Sequence, residues 1–87
     1  MLILQFPSEN RDSLSAHLRQ AAGLSRSEAE IAVALCDGLT LSEISDARRV
    51  SIHTVRNQVK SALSKTGSRR QVDLVRLVEQ LRRGGAR

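Results

Sequence analysis

The chain has 87 residues, 14 Lys and Arg against 9 Asp and Glu, and a formal charge of +5, which allows one small domain with a marginal core and favours a polyanionic partner. No apolar run nears the ~18 residues of a membrane span, and Leu2-Ile3-Leu4 lacks the basic leader and the length of a secretory signal, so no membrane partner and a cytoplasmic, nucleoid-associated location are expected. One Phe, no Trp or Tyr, one Cys and two His leave no stacking platform for single strands, no disulfide framework and no metal set, so double-stranded DNA is the expected polyanion and no cofactor is expected.

Residues 1–7, MLILQFP, form a short aliphatic run stopped by Pro7, which predicts a brief strand or extended arm. Such a strand would pair with its copy in a dimer, lie on the helices, or stay disordered. Ser8 then suits the cap of a helix reaching about residue 22, with Glu9 and Asp12 in its first turn and Leu14, Leu18 and Ala21 as a thin apolar stripe. His17 lies between polar positions, as an ordinary exposed histidine does, and Gly23 ends the element.

Beyond residue 24 the helix starts are marked by capping boxes, a hydroxyl residue followed three later by Glu or Gln: Ser25 with Glu28, Thr40 with Glu43, and Ser68 with Gln71. The first predicts a helix over about 26–37 that buries Ile31, Ala32 and Leu35, with Val33 and Cys36 beside them, and stops at Gly38. Cys36 reads as a small buried hydrophobe. The second predicts a short helix over about 41–48 with only Leu41, Ile44 and Ala47 as apolar contacts, so neighbouring helices must hold it.

Three residues later comes VSIHTVRNQVKSALSKTG, a helix over about 52–66 capped by Ser51 and ended by Gly67. At 100° per residue, Ile52, Val55, Val59, Ala62 and Leu63 gather on one side and His53, Arg56, Asn57, Lys60 and Ser64 on the other. One face can pack, and the other carries groups able to contact phosphates and base edges. The connection through Arg48, Arg49 and Val50 has the length used in a helix-turn-helix. In the last helix, about 69–83, Leu74, Leu77, Val78 and Leu81 share an arc of about 100° while Val72 and Val75 lie off it. That surplus predicts a second stripe facing another protomer, with Leu74, Leu77, Val78 and Leu81 as the dimer interface. Gly84-Gly85-Ala86-Arg87 reads as a disordered tail.

These residues together resemble the LuxR/GerE-type helix-turn-helix of bacterial transcription regulators. The resemblance is carried by Leu24-Ser25 with Glu28 and Glu30-Ile31, Gly38-Leu39, Glu43-Ile44, Val50-Ser51, Thr54-Val55-Arg56, Val59, Leu63, Lys65, Gly67 and Arg70-Gln71, in order and without a gap. It implies an all-α fold: a tetrahelical bundle over residues 24–83, with residues 1–23 outside it as an arm and extra helix. It also implies that the helix at 52–66 enters the major groove and that the last helix makes the dimer. Carried over by position, Arg56, Asn57 and Lys60 would face base edges and Thr54 and Lys65 phosphates. Ser51 and His53 join the expected DNA-binding set from the same end of that helix.

The chain departs from the family pattern at Arg48, where a buried Leu is usual, and at Gln58, Ala62 and Thr66, which stand for His, a larger aliphatic and Leu. Members usually carry a sensory or receiver domain ahead of this one, and 22 residues cannot supply it, so no small-molecule ligand is expected within this chain. The opening LILQFP looks like the last strand of a PAS-type sensor domain, compatible with a fragment of a longer regulator as with a stand-alone one.

The expected function is a sequence-specific DNA-binding transcriptional regulator, a homodimer on an inverted repeat. The alternative is a protein-binding module that docks on RNA polymerase or another regulator. An enzyme is not expected: His17, His53 and Cys36 fall on three separate helices, with no Gly-rich phosphate loop or acidic pair.

Overall fold

Hydroxyl residues begin three of the helices in the way their spacing predicts. The Ser25 hydroxyl accepts from the Glu28 N–H at 3.1 Å while the Glu28 carboxylate accepts from the Ser25 N–H at 2.8 Å. Thr40 and Glu43 make the same reciprocal pair, also at 3.1 and 2.8 Å. Ser51 caps the next helix by accepting from the Thr54 N–H at 3.1 Å. Each cap satisfies donors that the first helical turn leaves without a partner. The resulting elements are α1 (Gln5–Ala22), α2 (Arg26–Cys36), α3 (Leu41–Arg48), α4 (Ile52–Thr66) and α5 (Gln71–Gly85). This computed structural model describes the backbone of residues 5–85 and the side chains of residues 13–83. Among the described residues there is no strand, so the fold is all-α. None of the helices is long and apolar enough to cross a membrane.

Three expectations about element ends are corrected. The strand or extended arm expected over residues 1–7 is not formed at Gln5, Phe6 and Pro7, which are helical, and residues 1–4 lie outside the described ones. Pro7 is only the third residue of α1, where the missing N–H would have had no intrahelical acceptor, so it does not stop the helix. The box expected at Ser68 and Gln71 is absent. The Ser68 hydroxyl sits 2.9 Å from that of Thr66, and it is the Asp73 carboxylate that accepts from the Arg70 N–H, at 3.2 Å. α5 therefore starts at Gln71 and continues through Gly84 and Gly85, where a disordered tail was expected. Ala86 and Arg87 lie outside the described residues.

α2 is the centre of the fold, packed against α1, α4, α5 and, more lightly, α3. Its burial follows from its sequence: Ala29, Ile31, Ala32, Val33, Ala34 and Leu35 are all buried, and a helix apolar around most of its circumference needs neighbours on several sides. α1 supplies Leu14 and Leu18 to the same core as Ile44 of α3, Val55, Val59 and Ala62 of α4, and Leu74 and Val78 of α5. Leu18 has no exposed surface at all. α5 is packed by α2, α1 and α4, and two of the four residues expected at a dimer interface lie in this core. Leu74 and Val78 are 0 % exposed within one chain and cannot face a second copy. Leu81 packs against the core at its edge and Leu77 is half-buried. α2, α1 and α4 together cover the apolar flanks of α5, leaving Val72 as its one exposed large aliphatic side chain among the described residues.

Arg48 and Thr66 make polar contacts within the chain. The Arg48 guanidinium reaches back to α2, donating to the Glu30 carboxylate at 2.8 Å and to the Ser27 hydroxyl at 3.2 Å. The Arg48 bond to Glu30, against the opposing effect of burial and with help from Arg26, holds the Glu30 carboxyl below its ordinary range. Thr66 turns its hydroxyl onto the Ala62 carbonyl at 2.8 Å, and Gln58 keeps a buried amide oxygen without a hydrogen-bond partner. Cys36 packs half-buried against the core, and burial pushes its thiol above the ordinary range.

Candidate nucleic-acid interface

α3 and α4 are joined by three residues, Arg49, Val50 and Ser51, and the joint is fixed by backbone bonds. The Arg49 N–H donates to the Asp46 carbonyl at 3.2 Å and the Val50 N–H to the Ser45 carbonyl at 3.1 Å. This closure needs a left-handed residue, and Arg49 supplies it at φ 58° and ψ 42°. It is the only non-glycine residue with positive φ among those described. A left-handed L-residue costs about 1–2 kcal/mol, part of which glycine would return in chain entropy. Arg49→Gly is therefore expected to raise stability by about 0.5–1 kcal/mol, a rise of a few degrees in Tm, read in a thermal melt. The opposite end of α4 meets the same requirement with Gly67 at φ 71°.

Packing fixes which way α4 faces. Val55, Val59 and Ala62 are buried against the neighbouring helices and Leu63 is half-buried, whereas His53, Arg56, Asn57, Lys60 and Ser64 are exposed. These five recur at helical spacing and so share one side of α4. The 15 residues of α4 include Arg56, Lys60 and Lys65 and no carboxylate. Solvated helices commonly interleave both signs, with an acid in the first turn to offset the helix dipole. Here the first turn is free of acids, and it presents backbone N–H groups beside Ser51, His53 and Thr54, an arrangement suited to an anion. Among the described residues, Arg56 and Lys60 have no carboxylate partner.

The other expected contact residues are already engaged within the chain. Ser51 spends its hydroxyl on the Thr54 N–H, with the Thr54 hydroxyl 3.0 Å away. Both remain exposed, and the Thr54 hydroxyl can turn outward. Lys65 is drawn toward α2, its ammonium donating to Glu28 Oε1 at 2.9 Å. Its side chain is 41 % exposed while that of Glu28 is 9 % exposed, so the pair is anchored on the buried side and open on the other. Burial of Glu28 opposes its ionisation, but hydrogen bonds from the Ser61 hydroxyl, the Ser25 N–H and Lys65, together with the Lys65 charge, hold its carboxyl at about 2. Glu28 thus caps α2 and ties the C-terminal half of α4 to it.

Sequence reasoning did not single out Glu28 as an anchor for α4, nor Arg49 as a cation at the α3–α4 joint. The capping box foretold Glu28's local bond, but nothing local signals a partner 37 residues away. Arg49 stands exposed beside the acid-free end of α4, adding a cation to that side. Cys36, His17 and His53 sit on α2, α1 and α4, and among the described residues no His, Cys, Asp or Glu group is arranged to hold a metal ion. Comparison with family models, with curated proteins and with solved structures returns no match for this chain.

Proposed function

We propose that α2 to α5 form a LuxR/GerE-type tetrahelical helix-turn-helix and that the chain is a sequence-specific, double-stranded DNA-binding regulator. The observation that carries the proposal is the outward face of α4: Arg56, Asn57 and Lys60 exposed together on a helix with no carboxylate. An α-helix fits the major groove, where Arg pairs with guanine O6 and N7, and Asn with adenine N6 and N7. Lys60, with Arg49, supplies charge to phosphates and thereby affinity that depends little on sequence. Thr54 and Ser51 add hydroxyls at the end of α4 that approaches the backbone, and His53 lies between them. Lys65 acts first as the partner of Glu28, its two remaining donors being free to meet a phosphate.

A homodimer on an inverted repeat remains part of the proposal, because one helix contacts only a few base pairs and two-fold symmetry doubles the site. The side chains that α5 leaves for such a contact are Leu77 and Val72 in place of Leu74 and Val78.

The test is fluorescence anisotropy on a randomised duplex pool across a salt series, with sequencing of the bound fraction. A regulator of this kind enriches a palindromic motif, and log K falls with log salt at about 0.9 per phosphate neutralised. Weak binding that enriches no motif would sink the proposal and leave a protein-docking role to examine by capture on RNA polymerase. Arg49→Gly separates the two roles of that residue: the same variant that melts higher should lose about 0.9 of the salt slope.

A further inference from the structure

Two aliphatic side chains at the start of α4 keep more than a third of their surface in solvent, flanked in sequence by exposed polar residues. Val50 is 39 % exposed and Ile52 37 % exposed, on either side of the Ser51 cap. Burying such side chains is worth more than leaving them in water, and the exposed residues around them, Arg49, His53, Thr54 and Arg56, offer them little apolar cover. Ile52 is the first residue of α4 and lies four residues before Arg56. It is therefore about 40° round the helix from Arg56 and about 6 Å along it, on the margin of the cationic face.

From this placement we infer that Ile52 is a specificity-determining residue that packs on the 5-methyl group of a thymine; the inference rests on the DNA-binding reading above. The thymine methyl is the one apolar group on the floor of the major groove, and aliphatic contact with it is an established form of base reading. The surrounding cations match a groove walled by phosphates and would disfavour a greasy protein partner at that spot. With base pairs spaced about 3.4 Å apart, the 6 Å offset places the thymine about two base pairs from the guanine that Arg56 pairs with.

The experiment takes the duplex selected by the wild-type chain and replaces each thymine in turn with deoxyuridine, which removes the methyl and nothing else. Affinities are measured for the wild type, Ile52→Ala, Ile52→Val and Arg56→Ala. At a thymine about two base pairs from the Arg56-dependent guanine, the wild type should bind the uracil duplex about fourfold more weakly, the worth of one buried methyl. Ile52→Ala should bind both duplexes alike, and Ile52→Val should retain part of the preference. A uracil penalty that persists unchanged in Ile52→Ala, or no penalty at any thymine, overturns the inference while leaving DNA binding standing. If Arg56→Ala binds as the wild type does, or no duplex is selected at all, the underlying reading falls and takes this inference with it. Thermal melts of all three variants confirm that each is folded before its affinity is compared.

Discussion

Changing Arg56 and Lys60 together to alanine is expected to weaken binding to the selected duplex by two to three orders of magnitude. A bidentate Arg–guanine pair is worth about 1–3 kcal/mol, and loss of the lysine removes a further increment of phosphate attraction. Each tenfold change corresponds to about 1.4 kcal/mol. The fold should be untouched, because both side chains are exposed and have no carboxylate partner among the described residues. Substitutions at such positions usually alter stability by less than about 0.5 kcal/mol. Two features of the anisotropy data identify the mechanism. The motif preference should collapse at the base pairs facing α4, and the salt dependence should become shallower by about one unit for each phosphate that the variant no longer neutralises. Equal affinity of wild type and variant, with both folded, would show that this face does not read DNA.

Glu28→Gln is the second large effect, and it acts on the scaffold. Glutamine keeps the length of the side chain but removes the charge that Lys65 faces and weakens acceptance from the Ser25 N–H and the Ser61 hydroxyl. The carboxyl is held at about 2 against an ordinary value of 4.5, and the difference corresponds to about 3 kcal/mol at neutral pH. That is a large share of the ~5–15 kcal/mol by which domains are stable. Because the folded-state value is depressed, the contribution is fully present above pH 4.5 and is lost as pH falls from there toward 2. Chemical denaturation as a function of pH should therefore show wild-type stability declining between about pH 5 and pH 2. In Glu28→Gln the midpoint should be lower at pH 7 and the acid decline smaller. The residual slope belongs in part to Glu30, whose carboxyl is depressed in the same direction by Arg48. A variant as stable as the wild type at pH 7 would refute the anchoring role of Glu28.

Local rules placed a good deal of this molecule. The start of α3 and both bounds of α4 follow from Thr40 with Glu43, from Ser51 and from Gly67, because caps and left-handed stops are satisfied within one turn of chain. Helical periodicity places most of α4: Val55, Val59 and Ala62 are buried as it requires, whereas Ile52, which it puts on the same side, is exposed at the first turn, where no neighbouring helix covers it fully. Where two local signals competed, the prediction slipped. Ser68 with Gln71 has the spacing of a capping box, yet Thr66 engages the Ser68 hydroxyl and Asp73 takes over the start of α5.

What only the assembled fold decided are the partners across the chain. Periodicity reveals that α5 has apolar residues on more than one flank, but it cannot say whether a second protomer or another helix covers them. Here α2, α1 and α4 all pack on α5, and Leu74 and Val78 belong to the core of a single chain. Likewise Arg48 finds Glu30 and Ser27, and Lys65 finds Glu28, over separations that leave no trace in local spacing. Capping and amphipathicity are short-range properties, set within about four residues. Which helix meets which flank, and which charges are thereby paired or left open on α4, depends on packing the other helices around α2 all at once.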